Sequence, residues 1–199
     1  MLKTQKVFTG IGLTLTTISL GVQLLEKKAC QKAEDYVSLE YDAMFKPLEE
    51  ALYNHFNPII TKELGLEEVR FLVNPHAGYH LFASNHLLGV TGKHLLDKEL
   101  VVVEIYRQGI LHDTIFKNFG KLNLEKYAIR YVNTLAHELR HVKQFTLEGY
   151  NMDDLEGSMT SVFMTGVRKE VEKVAYAYGD NFAKLHQEEI KSIVKGLNK

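Results

Sequence analysis

Cysteine, tryptophan and proline are scarce in this chain: Cys30 stands alone, tryptophan is absent, and only three prolines occur in 199 residues. One cysteine excludes a disulfide framework and a cysteine-rich zinc site, so any metal must be held by histidine and carboxylate. Excess charge is lacking too, since 24 Lys and Arg against 25 Asp and Glu leave a formal −1. Nothing draws such a molecule to a phosphate backbone, and nucleic acid is not expected as a partner. Hydrophobic residues at 45% and charged residues at 25% suit one globular domain with a buried core.

The longest stretch without charge lies near the start. Lys3 and Lys6 precede the run Val7 to Leu25, and Glu26-Lys27-Lys28 closes it. The run is nearly long enough to span hydrocarbon, so residues 7–25 are read as a membrane anchor. Thr9, Thr14, Thr16, Thr17, Ser19, Gln23 and three glycines soften its hydrophobicity, which keeps a packed helix in view. A cleaved secretory signal fits less well: no small-x-small site follows, and Lys27, Lys28 and Ala29 before Cys30 make no lipoprotein box. The expected organisation is an apolar segment over 1–28 and one domain over 29–199, held at a membrane by the anchor and otherwise cytoplasmic or secreted.

Within that domain the apolar spacing of Tyr36, Leu39, Ala43, Leu48, Leu52 and Tyr53 predicts a helix from Ala33 to Tyr53. Strand patterns follow at Val69 to Val73, stopped by Asn74-Pro75, at Tyr79 to Ala83, and at Leu100 to Tyr106. The last, rich in β-branched residues, is the strongest of them and is read either as an edge strand able to align an extended peptide or, equally, as a buried strand with no contact to substrate. Helical patterns then take over. Asn123 caps a helix expected from Leu124 to Phe145, with Gly149 beyond its end, and a second helix is built on Val167, Val171, Val174, Tyr178, Phe182 and Leu185. The expected fold class is α+β, with a small sheet of about three strands followed by two long helices.

The first of these helices carries His137-Glu138-Leu139-Arg140-His141. Residues at i and i+4 project from one helix face, so His137 and His141 can offer two imidazole nitrogens to a single Zn2+. Glu138 sits beside them, placed to act as general base towards a water that the metal activates. Thr134-Leu135-Ala136 before the motif and Val142 and Phe145 after it supply the apolar groups that would bury the helix.

The segment Leu135-Ala136-His137-Glu138-Leu139-Arg140-His141-Val142-Lys143-Gln144 resembles the metal helix of small bacterial and phage HExxH zincins. Val171-Glu172-Lys173-Val174-Ala175-Tyr176-Ala177-Tyr178 resembles their later helix, in which a ligand glutamate is followed by Ala three residues on and an aromatic six on. That resemblance implies a glutamate-zincin: a zinc metallopeptidase whose metal ligands are His137, His141 and Glu172. It implies Glu138 as catalytic base and a peptide or protein as substrate. Val174 departs from the pattern, standing where an acidic residue often follows the ligand. A metzincin would need Gly at 144 and His at 147, where Gln144 and Leu147 stand. Periodicity leaves Glu170 and Glu172 on opposite flanks of one apolar stripe, and only the resemblance chooses Glu172.

Other polar residues are read as ordinary. His55, His76, His80, His86, His94, His112 and His186 are expected to be surface or core histidines, with His80 the one best placed to face a cleft. Tyr176 and Tyr178 are candidates for an oxyanion donor, and Asp153-Asp154 for a solvated turn. Two rival functions stand beside the peptidase: a non-catalytic zincin-fold binding module, and a membrane-associated helical scaffold with an accidental motif. Retention of Glu138 argues against the module, since a purely structural metal site needs no base.

Overall fold

The computed structural model describes residues 39–77, 88–94, 97, 100–151 and 166–197. The anchor segment at 7–25, Cys30, the strand expected at Tyr79 to Ala83, His80, His86 and Asp153-Asp154 lie outside them. Among the described residues no helix is long and apolar enough to cross a membrane.

The element order is α1 (Leu39–Leu64), β1 (Phe71–Ala77), β2 (Gly89–Lys93), β3 (Val101–Tyr106), α2 (Arg107–Lys117), α3 (Leu124–Thr146), α4 (Gly166–Leu185) and α5 (Gln187–Leu197). The architecture is α+β, with a three-stranded mixed sheet followed by long helices. Helix α1 runs well past Tyr53, through both Pro47 and Pro58. Its stripe Phe45, Leu48, Leu52, Phe56, Ile60 and Leu64 is buried throughout, and that burial outweighs the hydrogen bonds the prolines forfeit. The helix stops at Gly65, whose φ is 69°, with Leu66 N donating to Thr61 O and Gly65 N to Lys62 O.

Strand order is β1-β3-β2, with β1 parallel and β2 antiparallel to β3. This corrects two expectations. The Leu100 to Tyr106 run forms the central strand rather than an edge, as the buried alternative had it: Val101–Tyr106 pairs with β1 on one side and β2 on the other, with Val101, Val103 and Ile105 buried and Val102 and Glu104 half-buried between them. Strand β1 is not stopped by Asn74-Pro75 but continues to Ala77, with its register to β3 shifting between Asn74 and Ala77. An edge strand tolerates proline because one row of its backbone groups has no ladder partner to lose. The other edge strand, β2, has no counterpart in the sequence reading.

Helix α3 spans the core, with Tyr127, Tyr131, Leu135, Leu139 and Val142 all buried. Its cap is as expected: the Asn123 side chain accepts from Lys126 N. One buried carboxylate knits four elements together. Glu49 of α1 accepts from Arg107 of α2 at 2.7 and 2.6 Å, from the Tyr127 hydroxyl of α3, and pairs with His76 Nδ1 of β1 at 3.0 Å. Burial alone would raise its pKa, but these bonds, the Arg107 guanidinium foremost, hold it below the ordinary carboxylate range.

Candidate metal centre

His137, Glu138 and His141 lie on the buried face of α3, each less than a tenth exposed. One ligand atom from each, a ring nitrogen or a carboxylate oxygen, falls within 4.8 Å of the other two. The two Nε2 atoms are 3.1 Å apart, and Glu172 Oε2 of α4 stands 3.6 Å from that of His137 and 3.7 Å from that of His141. Four-coordinate zinc with bonds of about 2.0–2.1 Å separates its ligand atoms by roughly 3.3 Å. The triangle of two imidazole nitrogens and one carboxylate oxygen therefore has the size and donor chemistry to hold zinc. Glu170 is far from this arrangement in character: its side chain is 68% exposed and its carboxylate lies 3.9 Å from Lys173 Nζ.

Glu138 faces the histidines and reaches the sheet as well. Its Oε2 accepts from the Thr91 hydroxyl of β2 at 2.8 Å, and its Oε1 stays 3.9 Å from His137 Nε2. The pocket exists because residue 89 is glycine: a Cβ there would lie 2.8 Å from Glu138 Cγ and 2.9 Å from its Oε1. Burial, with a smaller contribution from Glu172, pushes the Glu138 pKa up to about 7, against the pull of His141 and Thr91. That value suits a proton acceptor working near neutrality. Burial, and then the neighbouring His141, take His137 down to about 4. For His141 burial acts downward, yet the Glu172 and Glu138 carboxylates outweigh it and raise the pKa.

Helices α3 and α4 come together closely at Gly179, where a Cβ would sit 2.7 Å from the Asn133 carbonyl oxygen and 3.3 Å from His137 Cβ. Ala175, one turn earlier, is also fully buried. Two small residues on one face of α4 let the Glu172 side chain span the gap. Gly179→Ala should force the helices apart, because the opposing atom is backbone and cannot swing aside. The expected result is a loss of about 1–3 kcal/mol in denaturant unfolding together with weaker zinc binding in a titration. Gly196 is the control, since nothing lies within 4 Å of its Cβ position and alanine there should leave stability equal or higher.

The tyrosine candidates separate. Tyr178 donates to Glu63 of α1 at 3.1 Å, away from the centre, whereas the Tyr176 ring packs on His137 at 4.5 Å between centroids. Val174 is 41% exposed, and among the described residues His137 Nδ1 has no hydrogen-bond partner. The described histidines outside the motif have occupations of their own. His55 and His186 both bind Glu189, His76 binds Glu49, His94 accepts from Asp97 N, and His112 stacks on Phe116.

Thr91, Gly89 and Gly179 are the residues that sequence reasoning missed. A small residue or a lone threonine carries no metal-site pattern, and only the packing shows what each makes room for or holds. No protein-family model, no curated protein and no solved structure matches the chain.

Proposed function

We propose that the chain is a zinc-dependent peptidase. One observation carries the reading. Glu172 Oε2 lies 3.6 and 3.7 Å from the Nε2 atoms of His137 and His141, a zinc-sized set of donors, while Glu138, beside them with its Oε1 3.9 Å from His137 Nε2, is bonded to Thr91 of the sheet. A structural site would have no use for a second carboxylate beside the two histidines, bonded to Thr91. When bound, zinc would polarise the scissile carbonyl and make a water easier to deprotonate. Glu138 would take that proton and pass it to the departing amine, and Thr91 would keep its carboxylate aimed. Tyr176, beside His137, is the tyrosine at the centre.

The choice of a peptide as substrate is supported by β2. It is an edge of the sheet and is joined to α3 through Thr91 and Glu138, so an extended chain added along it would pass the base. The aligning role first read into Leu100 to Tyr106 thus moves to Gly89–Lys93. Residues 7–25 would hold the domain at a membrane. In fractionation, a chain starting near Ala33 should then move from the membrane to the soluble pool, and a full-length chain that is soluble without detergent would refute the anchor.

The test of function is metal content and hydrolysis measured together. About one zinc per chain with cleavage of unfolded protein substrate, both lost on chelation, supports the peptidase. Zinc without cleavage would make the domain a binding module, and no zinc at all would leave the motif an accident of a charged helix.

A further inference from the structure

We propose that Gln144 is a positioning residue, one that fixes the tautomer of His141 and thereby decides which ring nitrogen is offered to the metal. The proposal rests on the zinc reading above. Gln144 lies on α3 one turn beyond His141 and is 1% exposed. Its Nε2 stands 2.9 Å from the Val171 carbonyl oxygen of α4, and its Oε1 stands 2.7 Å from His141 Nδ1.

The orientation of this amide is forced by its partners. The Val171 carbonyl can only accept, so the amide nitrogen must face it, and the amide oxygen must then face His141. An amide oxygen cannot donate. His141 Nδ1 therefore carries a proton, and in the neutral ring Nε2 is left with its lone pair. That is the nitrogen lying 3.1 Å from His137 Nε2 and 3.7 Å from Glu172 Oε2.

The bond does a second thing, because Val171 immediately precedes Glu172. One side chain ties the histidine ligand to the backbone that carries the carboxylate ligand, so the two approach the same point from fixed directions. His137 has no matching support, its Nδ1 being without a partner among the described residues. Orientation of the site thus depends on His141 more than on its twin. Partners of this kind typically change metal affinity 10–100-fold when removed.

Two variants separate acceptance from His141 from a mere tie between helices. In the full-length chain stripped of metal and titrated with zinc against a chelator, Gln144→Met, which offers neither group, should bind roughly 10–100-fold more weakly. Gln144→Glu keeps the acceptor facing His141 but loses the donor to Val171, and should stay within a few-fold of the parent. Equal weakening in both variants, or parental affinity in Gln144→Met, would overturn the proposal. Nitrogen-15 NMR of the unsubstituted, metal-free chain at alkaline pH needs no variant to fold. A proton on His141 Nδ1 is expected there, and one on Nε2 would overturn the proposal. If the unsubstituted chain takes up no zinc, the zinc reading fails by itself while this spectrum still decides the tautomer.

Discussion

Glu138→Gln is expected to keep its zinc and to lose at least about two orders of magnitude in turnover, the usual scale for removing a general base. The division follows from geometry. Glu172 faces both histidines, whereas Glu138 is held by Thr91, so glutamine at 138 removes a proton acceptor and leaves the His137, His141 and Glu172 set in place. Metal analysis and peptide hydrolysis on the same preparation check it, and zinc lost together with activity would make Glu138 a ligand. The same variant reports on stability. In the metal-free chain the folded pKa of Glu138 is about 7, raised from 4.5. A raised carboxylate pKa favours the folded state below the unfolded value, and that contribution is lost as pH rises through the folded one. Glutamine should therefore stabilise the metal-free chain at pH 8 by about 3 kcal/mol, with the advantage fading as pH falls from 7 towards 4.5. Denaturant unfolding at the two ends of that window would show it.

The second large effect is expected at α4. Glu172→Ala should abolish both zinc retention and hydrolysis, while Glu170→Ala should change neither. Glu172 Oε2 lies within 3.7 Å of both Nε2 atoms, and its removal would take away one of the three proposed protein donors. Glu170 is solvated, and its nearest cation, Lys173, is itself 74% exposed, so little depends on that pair. Zinc titration of the two variants side by side decides the matter, and the reverse pattern would transfer the ligand role to Glu170.

Helix α3 was legible from local chemistry almost to the residue, because Asn123 is a cap, the apolar spacing is sustained, and the motif itself has helical period. The placement of Glu172 beside the histidines was legible only through resemblance, since flank for flank Glu170 had an equal claim. What local pattern could not reach was order within the sheet. The run at Val101–Tyr106 announced a strand, but whether a strand is central depends on partners far away in sequence. One of those partners, Gly89-Val90-Thr91-Gly92-Lys93, has too many glycines to announce itself. It is a strand because it pairs with β3, and its glycine at 89 is there for Glu138 rather than for the sheet. Gln144 is a similar case. In sequence it closed the segment resembling a zincin metal helix and excluded a metzincin, and its bonds to His141 and Val171 become visible once α4 is laid against α3.

The buried Glu49 network has a mechanical consequence for the whole centre. Near its N-terminal end α3 is pinned through Tyr127 to a carboxylate shared with three other elements, and near its C-terminal end Gln144 pins it to α4. A beam clamped at both ends bends little between its supports, and His137 and Glu138 lie in that span. Helix α4 shares that support, being packed on α3 through Val171, Ala175 and Gly179 and joined to it by the Asn133–Asp180 bond, so the two helices present the centre as one body.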